Sequence, residues 1–237
     1  RNFEVIIAED DNLQETKEYL SSILPLINYP LKHVRQDKDE GFRKNEILNK
    51  AIQIASGDIL VFMDGDCIPH KNLLFHYSHL NVNNTAWFGR RVMLGQRFTK
   101  ELISSDNPKM ISSCRILFSD SARRKYAFYL PLIKPQSATE RGFWGCNWGI
   151  RKETILNVNG YDEDYTKAGV GEDADIEWRL RKNNCSFTYM PHRLIVYHLH
   201  HPANYSQDDV NYNFALMKNK QDAGCAYCKN GVTKQKQ

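Results

Sequence analysis

The sequence predicts an α/β protein whose mostly parallel, twisted sheet carries helices on both faces. Three observations predict it. Phe3–Ala8 is a short β-branched run of strand length, and Ile59–Met63 is a fully apolar one. Segments with helical spacing lie between and after them. An acidic cluster follows each run, Glu9–Asp11 after the first and Asp64–Asp66 after the second. In a parallel sheet those clusters stand at the carboxyl ends of strands, where ligands bind.

Taken in order, Phe3 to Ala8 reads as a buried strand with an acidic loop at its end. Thr16 to Leu24 is spaced as a helix, and Pro25 and Pro30 end it. His33–Gln36 reads as a second short strand. From Lys44 to Ala55, the residues Ile47, Leu48, Ala51, Ile52 and Ala55 share one helical face, with Gly57 as its cap. Ile59–Met63 is the next strand and runs straight into Asp64-Gly65-Asp66. Residues 90–141 lack a clear period and read as mixed helix and loop. Gly142–Gly149 is a glycine-aromatic loop, Arg151–Asn157 a short helix, and Gly160–Asp164 a turn. Ile176–Lys182 reads as a helix, and Phe187–Met190 and Leu194–Tyr197 as strands. The polar, lysine-rich tail from Gln221 is expected to fray.

Composition narrows the classes. With 237 residues, 41% hydrophobic and 11% aromatic, the chain can bury a sizeable core and is not disordered in bulk. It holds no apolar run long enough for a transmembrane helix, and the N-terminus shows no signal-peptide pattern. The net charge of +4 is too mild to indicate nucleic-acid binding, and no nucleic-acid partner is expected. Its distribution is uneven: Arg90 to Arg141 holds 11 Lys/Arg against 4 Asp/Glu, an excess of +7, beside the apolar stretch Tyr126–Ile133. That suits peripheral contact with an anionic membrane or an acidic acceptor, while a solvated helical face over core residues is the simpler reading. The six cysteines follow no framework spacing and read as reduced thiols. Cys225-Ala-Tyr-Cys228 has no second pair to complete a zinc site.

The residues that carry chemistry begin with Asp64-Gly65-Asp66. Two carboxylates at the end of an apolar strand are costly unless something compensates them, and a hard divalent cation does so. An ordinary acidic turn is the bland reading. Glu172, Asp173 and Asp175 lie at a helix start, where the macrodipole and capping account for one or two acids. Three exceed that need and suggest a general base or a clamp on an acceptor hydroxyl. His198, His200 and His201 follow a strand, and alternation puts His198 and His200 on one face. A neutral imidazole there completes a cation's shell; a surface or core histidine is the simpler account.

The order of these signals resembles the family 2 glycosyltransferases of GT-A fold, with a C-terminal half like the galactosyltransferase and polypeptide GalNAc-transferase type. Phe3-Glu-Val-Ile-Ile-Ala-Glu-Asp-Asp-Asn12 is similar to the family's second strand and nucleoside-holding loop. Ser56 to Pro69 is similar to the strand and DxD motif, and Trp144-Gly-Cys-Asn147 to the donor-sugar loop. Asn159-Gly-Tyr-Asp-Glu163, followed by Gly171-Glu-Asp173, resembles the acceptor and base motif. The resemblance covers nearly all of residues 3–202. It implies a metal-dependent, inverting transfer of a hexose or N-acetylhexosamine from a UDP-sugar to a hydroxyl of a glycan or glycolipid.

The resemblance also implies roles. Asp11 or Asp10 contacts the uracil or ribose, with Arg43 or Lys44 as a basic nucleotide contact. Asp64 reaches the ribose and, partly through water, the metal. Asp66 ligates Mn²⁺ or Mg²⁺ directly, with His198 as a further ligand and His200 as the fallback. Asp173 deprotonates the acceptor and Glu172 binds it. Trp144, Gly145 and Asn147 belong to the donor loop, and Asp175 is grouped with these donor and acceptor contacts. Gly169–Gly171 and the Trp144 loop are expected lid elements. The expected organisation is one domain over 1–202, comprising a nucleotide-binding half 1–89, a variable basic segment 90–141 and an acceptor/catalytic half 142–202. An extension, 203–237, follows. The family's own first strand has no counterpart here, so the expected sheet lacks it. A bacterial enzyme of surface polysaccharide or glycolipid synthesis fits, cytoplasmic and peripheral at the inner membrane face. The alternatives are a sugar-1-phosphate nucleotidyltransferase, which needs a glycine-rich basic loop, and a catalytically silent carbohydrate- or lipid-binding module.

Overall fold

The computed structural model describes residues 3–80, 82–138, 142–169, 171–202 and 205–234. In chain order the elements are β1 (Val5–Glu9), α1 (Gln14–Ile23), β2 (Leu31–Arg35), α2 (Lys44–Ile54), β3 (Ile59–Met63), β4 (Cys67–Pro69) and α3 (Leu73–Ser78). There follow β5 (Thr85–Phe88), β6 (Arg90–Met93), α4 (Gln96–Ser105), α5 (Ser113–Leu117), β7 (Gln136–Ser137) and β8 (Asn147–Arg151). The last are α6 (Lys152–Leu156), α7 (Glu172–Lys182), β9 (Ser186–Tyr189), β10 (Ile195–His198) and α8 (Gln207–Asp222). The strands form three sheets, ordered β1-β2, β4-β10-β6 and β3-β8-β5-β9-β7. Pairing is mixed: β1 with β2, β6 with β10 and β5 with β9 are parallel, while β4 with β10 and β5 with β8 are antiparallel.

The chain divides into two compact units. The first holds residues 1–60, 152–183 and 204–237, and the second 61–151 and 184–203. In the first unit, β1 and β2 pair from Val5↔Leu31 to Glu9↔Arg35. Helix α2 buries Ile47 and Ile52, and also Asn45 and Asn49. Those two amides hold the following turn: Asn49 receives the Tyr161 N–H at 2.8 Å and donates to the Tyr161 carbonyl at 2.8 Å and to Glu163 Oε1 at 2.9 Å, and Asn45 donates to the Asp162 carbonyl at 2.6 Å. They fix the 159–164 turn.

The tail is clamped onto that same turn, against the expectation of fraying. Asn159 donates to the Cys228 and Thr233 carbonyls at 2.8 Å and accepts the Thr233 N–H at 2.8 Å. Lys220 pairs with Asp162 and Asp164 at 2.7 and 2.6 Å, and Lys234 pairs with Glu163. Gly231 passes so near the Asn159 carbonyl that a Cβ would meet it. Cys228 is thereby buried and Cys225 exposed. Hydrophobicity is a poor guide to such a tail, because hydrogen bonds and ion pairs hold it.

Apolar clusters pack the described residues of the second unit. One gathers Leu73, Tyr77, Trp87, Cys146, Leu194 and Val196, and another Val92, Phe98, Leu102, Ile116 and Ile195. Each fully buried side chain of this kind contributes roughly 1.5–3 kcal/mol. Trp148 is fully buried and stacks on Phe62 with ring centroids 4.7 Å apart. The glycine-aromatic segment is therefore not all loop, since Asn147–Arg151 is the interior strand β8. Its Asn-Trp-Gly sequence lacks the apolar run that marks Ile59–Met63, and burial supplies what propensity does not. For the same reason β6, with two arginines, lies unannounced within the segment read as helix and loop. Helix α7 begins four residues before the expected Ile176, because Glu172 and Asp173 form its first turn. Helix α2 ends on an extended Ala55, so Gly57 is not its cap.

Candidate functional site

The strand register of the second unit brings Asp66 to the histidines. His198, the last residue of β10, pairs with Cys67 of β4, and the Leu199 N–H donates to the Asp66 carbonyl at 2.9 Å. Asp64, Gly65 and Asp66 make the preceding turn, closed by the Cys67 N–H on the Asp64 carbonyl at 3.0 Å. A Cβ on Gly65 would meet nothing within 4 Å, so that glycine is not required for packing. Asp66 Oδ2 lies 3.3 Å from His198 Nε2 and 2.8 Å from His201 Nε2.

This trio fits a divalent cation. His201 Nδ1 sits 2.7 Å from the Pro202 carbonyl, which only a protonated Nδ1 can satisfy. With Nδ1 so engaged, Nε2 is the nitrogen turned toward Asp66, and a cation shared by the imidazole and the carboxylate is one way to complete that contact. Asp66 Oδ1 is buried with no hydrogen-bond partner, as is His198 Nδ1. Burial holds His198 below the ordinary histidine range, against the opposing pull of Asp66. Neutral imidazole is the ligating form. Among the described residues this is the only cluster of three such side chains. It contains the expected Asp66 and His198 but neither Asp64 nor His200. Strand alternation stops at His198, and the chain then turns, so His201 returns to Asp66 while His200 is held by its N–H on Thr99 Oγ1 at 3.0 Å.

The first unit carries the other acids. Asp10 is spent on the chain: its carboxylate accepts the Arg43 N–H at 2.9 and 3.0 Å and the Gln36 amide at 2.8 Å, tying β1 to the start of α2. Burial nevertheless raises its pKa, with those bonds opposing. Half-buried Asp11 accepts the following Asn12 N–H at 2.6 Å. Arg43 folds its guanidinium onto the Phe42 carbonyl at 2.9 Å. Lys44 reaches Glu172 Oε1 at 3.5 Å.

Glu172 is only 5% exposed, and its Oε2 is buried with no hydrogen-bond partner. Burial and then the charge of Asp173 push its carboxyl up to about 7, with Lys44 pulling the other way. Asp173 is partly exposed on the first turn of α7. Gly171 precedes it at φ 145°, where a Cβ would lie 2.7 Å from that of Asn213 on α8. That glycine is conformationally required, and so fixes how α7 begins. The expected lid at Gly169–Gly171 includes Val170, which lies outside the described residues.

Two expected contacts belong to the framework. Asp175 is 1% exposed and holds Arg179 Nε at 2.7 Å and the Tyr165 hydroxyl at 3.1 Å. Asn147 is 2% exposed, donating to the Leu194 carbonyl at 2.9 Å and accepting the Tyr77 hydroxyl at 2.9 Å. Trp144 is half-buried beside arginines 90, 91 and 123, which the sequence reading did not single out. Their only advance signal was the local basic excess.

Comparison with known proteins gives these parts a common frame. The family model of glycosyl transferase family 2 matches residues 1–155, and that of the N-terminal domain of galactosyltransferase matches residues 130–202. An uncharacterized glycosyltransferase of Bacillus subtilis (strain 168), YfnE, is 25% identical over 251 residues, covering 92% of this chain and 62% of that protein. GalNAc-T7, solved with UDP, GalNAc and Mn²⁺, superposes with a TM-score of 0.57 at 14% identity, over 97% of this chain and 49% of its own. The mannosyltransferase PcManGT of Pyrobaculum calidifontis, solved with GDP-Man and Mn²⁺, gives 0.51 at 13% identity, over 93% and 64%. The chain thus spans between about half and two thirds of the length of these relatives, and its fold is GT-A. With well over half of its length matched by the first family model, the chain belongs to glycosyl transferase family 2.

Proposed function

We propose that this chain transfers a hexose or N-acetylhexosamine from a UDP-sugar to a hydroxyl of a glycan or glycolipid, with inversion at the anomeric carbon. The observation that carries the reading is the open carboxylate of Asp66, buried on one oxygen and faced on the other by two imidazole nitrogens. Asp66, His198 and His201 would hold Mn²⁺ or Mg²⁺. That cation supplies positive charge against which the diphosphate of the donor is bound and released. The Mn²⁺ of both solved relatives supports this choice.

The chain's own residues supply the rest. Asp173, exposed enough to meet solvent, takes the proton of the incoming hydroxyl. Glu172, neutral below about pH 7, donates a hydrogen bond to that acceptor and accepts one from it. Asp11 and Asp64 are left to the nucleoside, and Asp10 sets the loop between β2 and α2 that presents Arg43 and Lys44. A glycolipid acceptor suits the second unit's surface, where Phe118 and Leu132 are 79% and 94% exposed within the basic segment. No described helix is long and apolar enough to cross a membrane.

Calorimetric titration with UDP, with and without Mn²⁺, tests the reading. Metal-dependent binding is expected, lost at least 100-fold in Asp66→Ala. Asp173→Asn is expected to keep UDP–manganese affinity within twofold and to abolish transfer. Equal affinity in Asp66→Ala and the parent protein removes the metal assignment.

A further inference from the structure

Three arginines of the second unit gather on one indole. The guanidinium carbons of Arg90, Arg91 and Arg123 lie 4.6, 5.1 and 4.1 Å from the Trp144 ring centroid. The backbone arranges this. Arg90 and Arg91 open β6, and Met93 of the same strand exchanges hydrogen bonds of 2.7 and 3.2 Å with Ala122, which sets Arg123 beside them. Arg123 itself is held at φ 56°, a left-handed conformation that costs a residue with a Cβ.

Nothing among the described residues neutralises the trio. Arg90 Nε donates to the Tyr189 hydroxyl at 3.2 Å, yet Arg90 Nη1 and Arg91 Nε are buried with no hydrogen-bond partner. Burial and the charges of Arg91 and Arg90 hold Arg123 below the ordinary arginine range. Cation–π attraction offsets part of that repulsion and cannot satisfy the orphaned N–H groups. An oxyanion does both, because planar guanidinium forks match it in charge and geometry.

We propose that Arg90, Arg91 and Arg123, assembled on Trp144, bind the carboxylate of a hexuronate, carried either by the donor sugar or by the acceptor glycan. The inference rests on the glycosyl-transfer reading for its substrate class. A donor diphosphate is the competing ligand, since the Arg91 charge acts on His198, and the UDP–manganese affinity of Arg123→Gln separates the two.

The test pairs acidic with neutral ligands, in the presence of Mn²⁺. One pair is a hexuronate-containing oligosaccharide and its carboxyl-reduced form; the other is UDP-glucuronate and UDP-glucose. At least tenfold tighter binding of the acid is expected in one pair, and that pair identifies acceptor or donor as the source. Arg123→Gln, at an exposed position, should erase the preference while leaving the melting temperature and UDP–manganese affinity unchanged, and Arg91→Gln should erase it as well. Equal affinity for acid and neutral forms in both pairs would overturn the proposal. So would loss of UDP–manganese binding in Arg123→Gln, which assigns the guanidiniums to the diphosphate. If UDP–manganese does not bind the parent protein, the transfer reading fails, and the oligosaccharide pair still decides the arginine site.

Discussion

Asp175 and Asp66 are both carboxylates in acidic motifs, and their surroundings are opposite. In the first unit Asp175 has a partner on each oxygen, Arg179 on one and Tyr165 on the other. Arg179 in turn spends its Nη1 on the Val158 and Gly160 carbonyls at 2.8 Å. In the second unit Asp66 has one orphaned oxygen and one facing two imidazoles. A carboxylate with both oxygens paired helps to rigidify a fold, even though Arg179 Nη2 beside it has no partner, whereas a carboxylate with an orphaned oxygen keeps a position that a ligand can complete. The difference separates an acid spent on the scaffold from one whose carboxylate stays open, though both motifs read alike in sequence.

The largest effect expected from that contrast is on stability. Asp175→Ala strands the Arg179 charge at 1% exposure and should destabilise by about 3–5 kcal/mol. Asp66→Ala removes a carboxylate with an unsatisfied oxygen and should leave the urea midpoint unchanged or raised. Comparable losses in the two variants would end the distinction. Next comes Asn159→Ala, which cuts three hydrogen bonds to the tail and leaves an alanine at φ 65°. A loss of about 2–3 kcal/mol is expected, with early proteolysis confined to the segment after α8. A tail that stays protected in this variant would show that the ion pairs of Lys220 and Lys234 suffice.

The fold was legible where local pattern and burial agree. Ile59–Met63 needed no more than its run of apolar residues, and α2 needed only its helical face. It was illegible at β6 and β8, where Arg90-Arg91 and Asn147-Trp148-Gly149 become strands through partners distant in sequence. The site divides similarly. Asp66 and His198 stand out because their motifs end strands. His201 was hidden because period-two alternation favours His200, and nothing local announces the turn that brings His201 back. Asp175 and Asn147 looked functional because a motif carries residue types, while burial decides which members face a ligand. The arginine cluster had only a charge excess to announce it, since Arg123 lies 32 residues from Arg91 and Trp144 another 21 beyond.

Glu172 stands between the two kinds of carboxylate, and its titration sharpens the comparison. It is buried like Asp175, yet one oxygen is orphaned like that of Asp66. With its pKa at about 7 in the folded chain against 4.5 as the reference, it keeps a proton between those pH values that the unfolded chain has lost. Its contribution to stability is therefore fully present below about pH 4.5 and is lost as pH rises through about 7. Glu172→Gln keeps the shape and removes the titration, so it should flatten the stability–pH curve across that window. The variant should exceed the parent protein by on the order of 2 kcal/mol at pH 8, where the parent must bury a carboxylate, and by much less at pH 5. Denaturant midpoints at the two pH values measure this directly. A constant gap between parent and variant at both would mean that Lys44 keeps Glu172 ionised throughout. The acid would then belong with Asp175, as part of the framework, and not with the groups held ready for an acceptor.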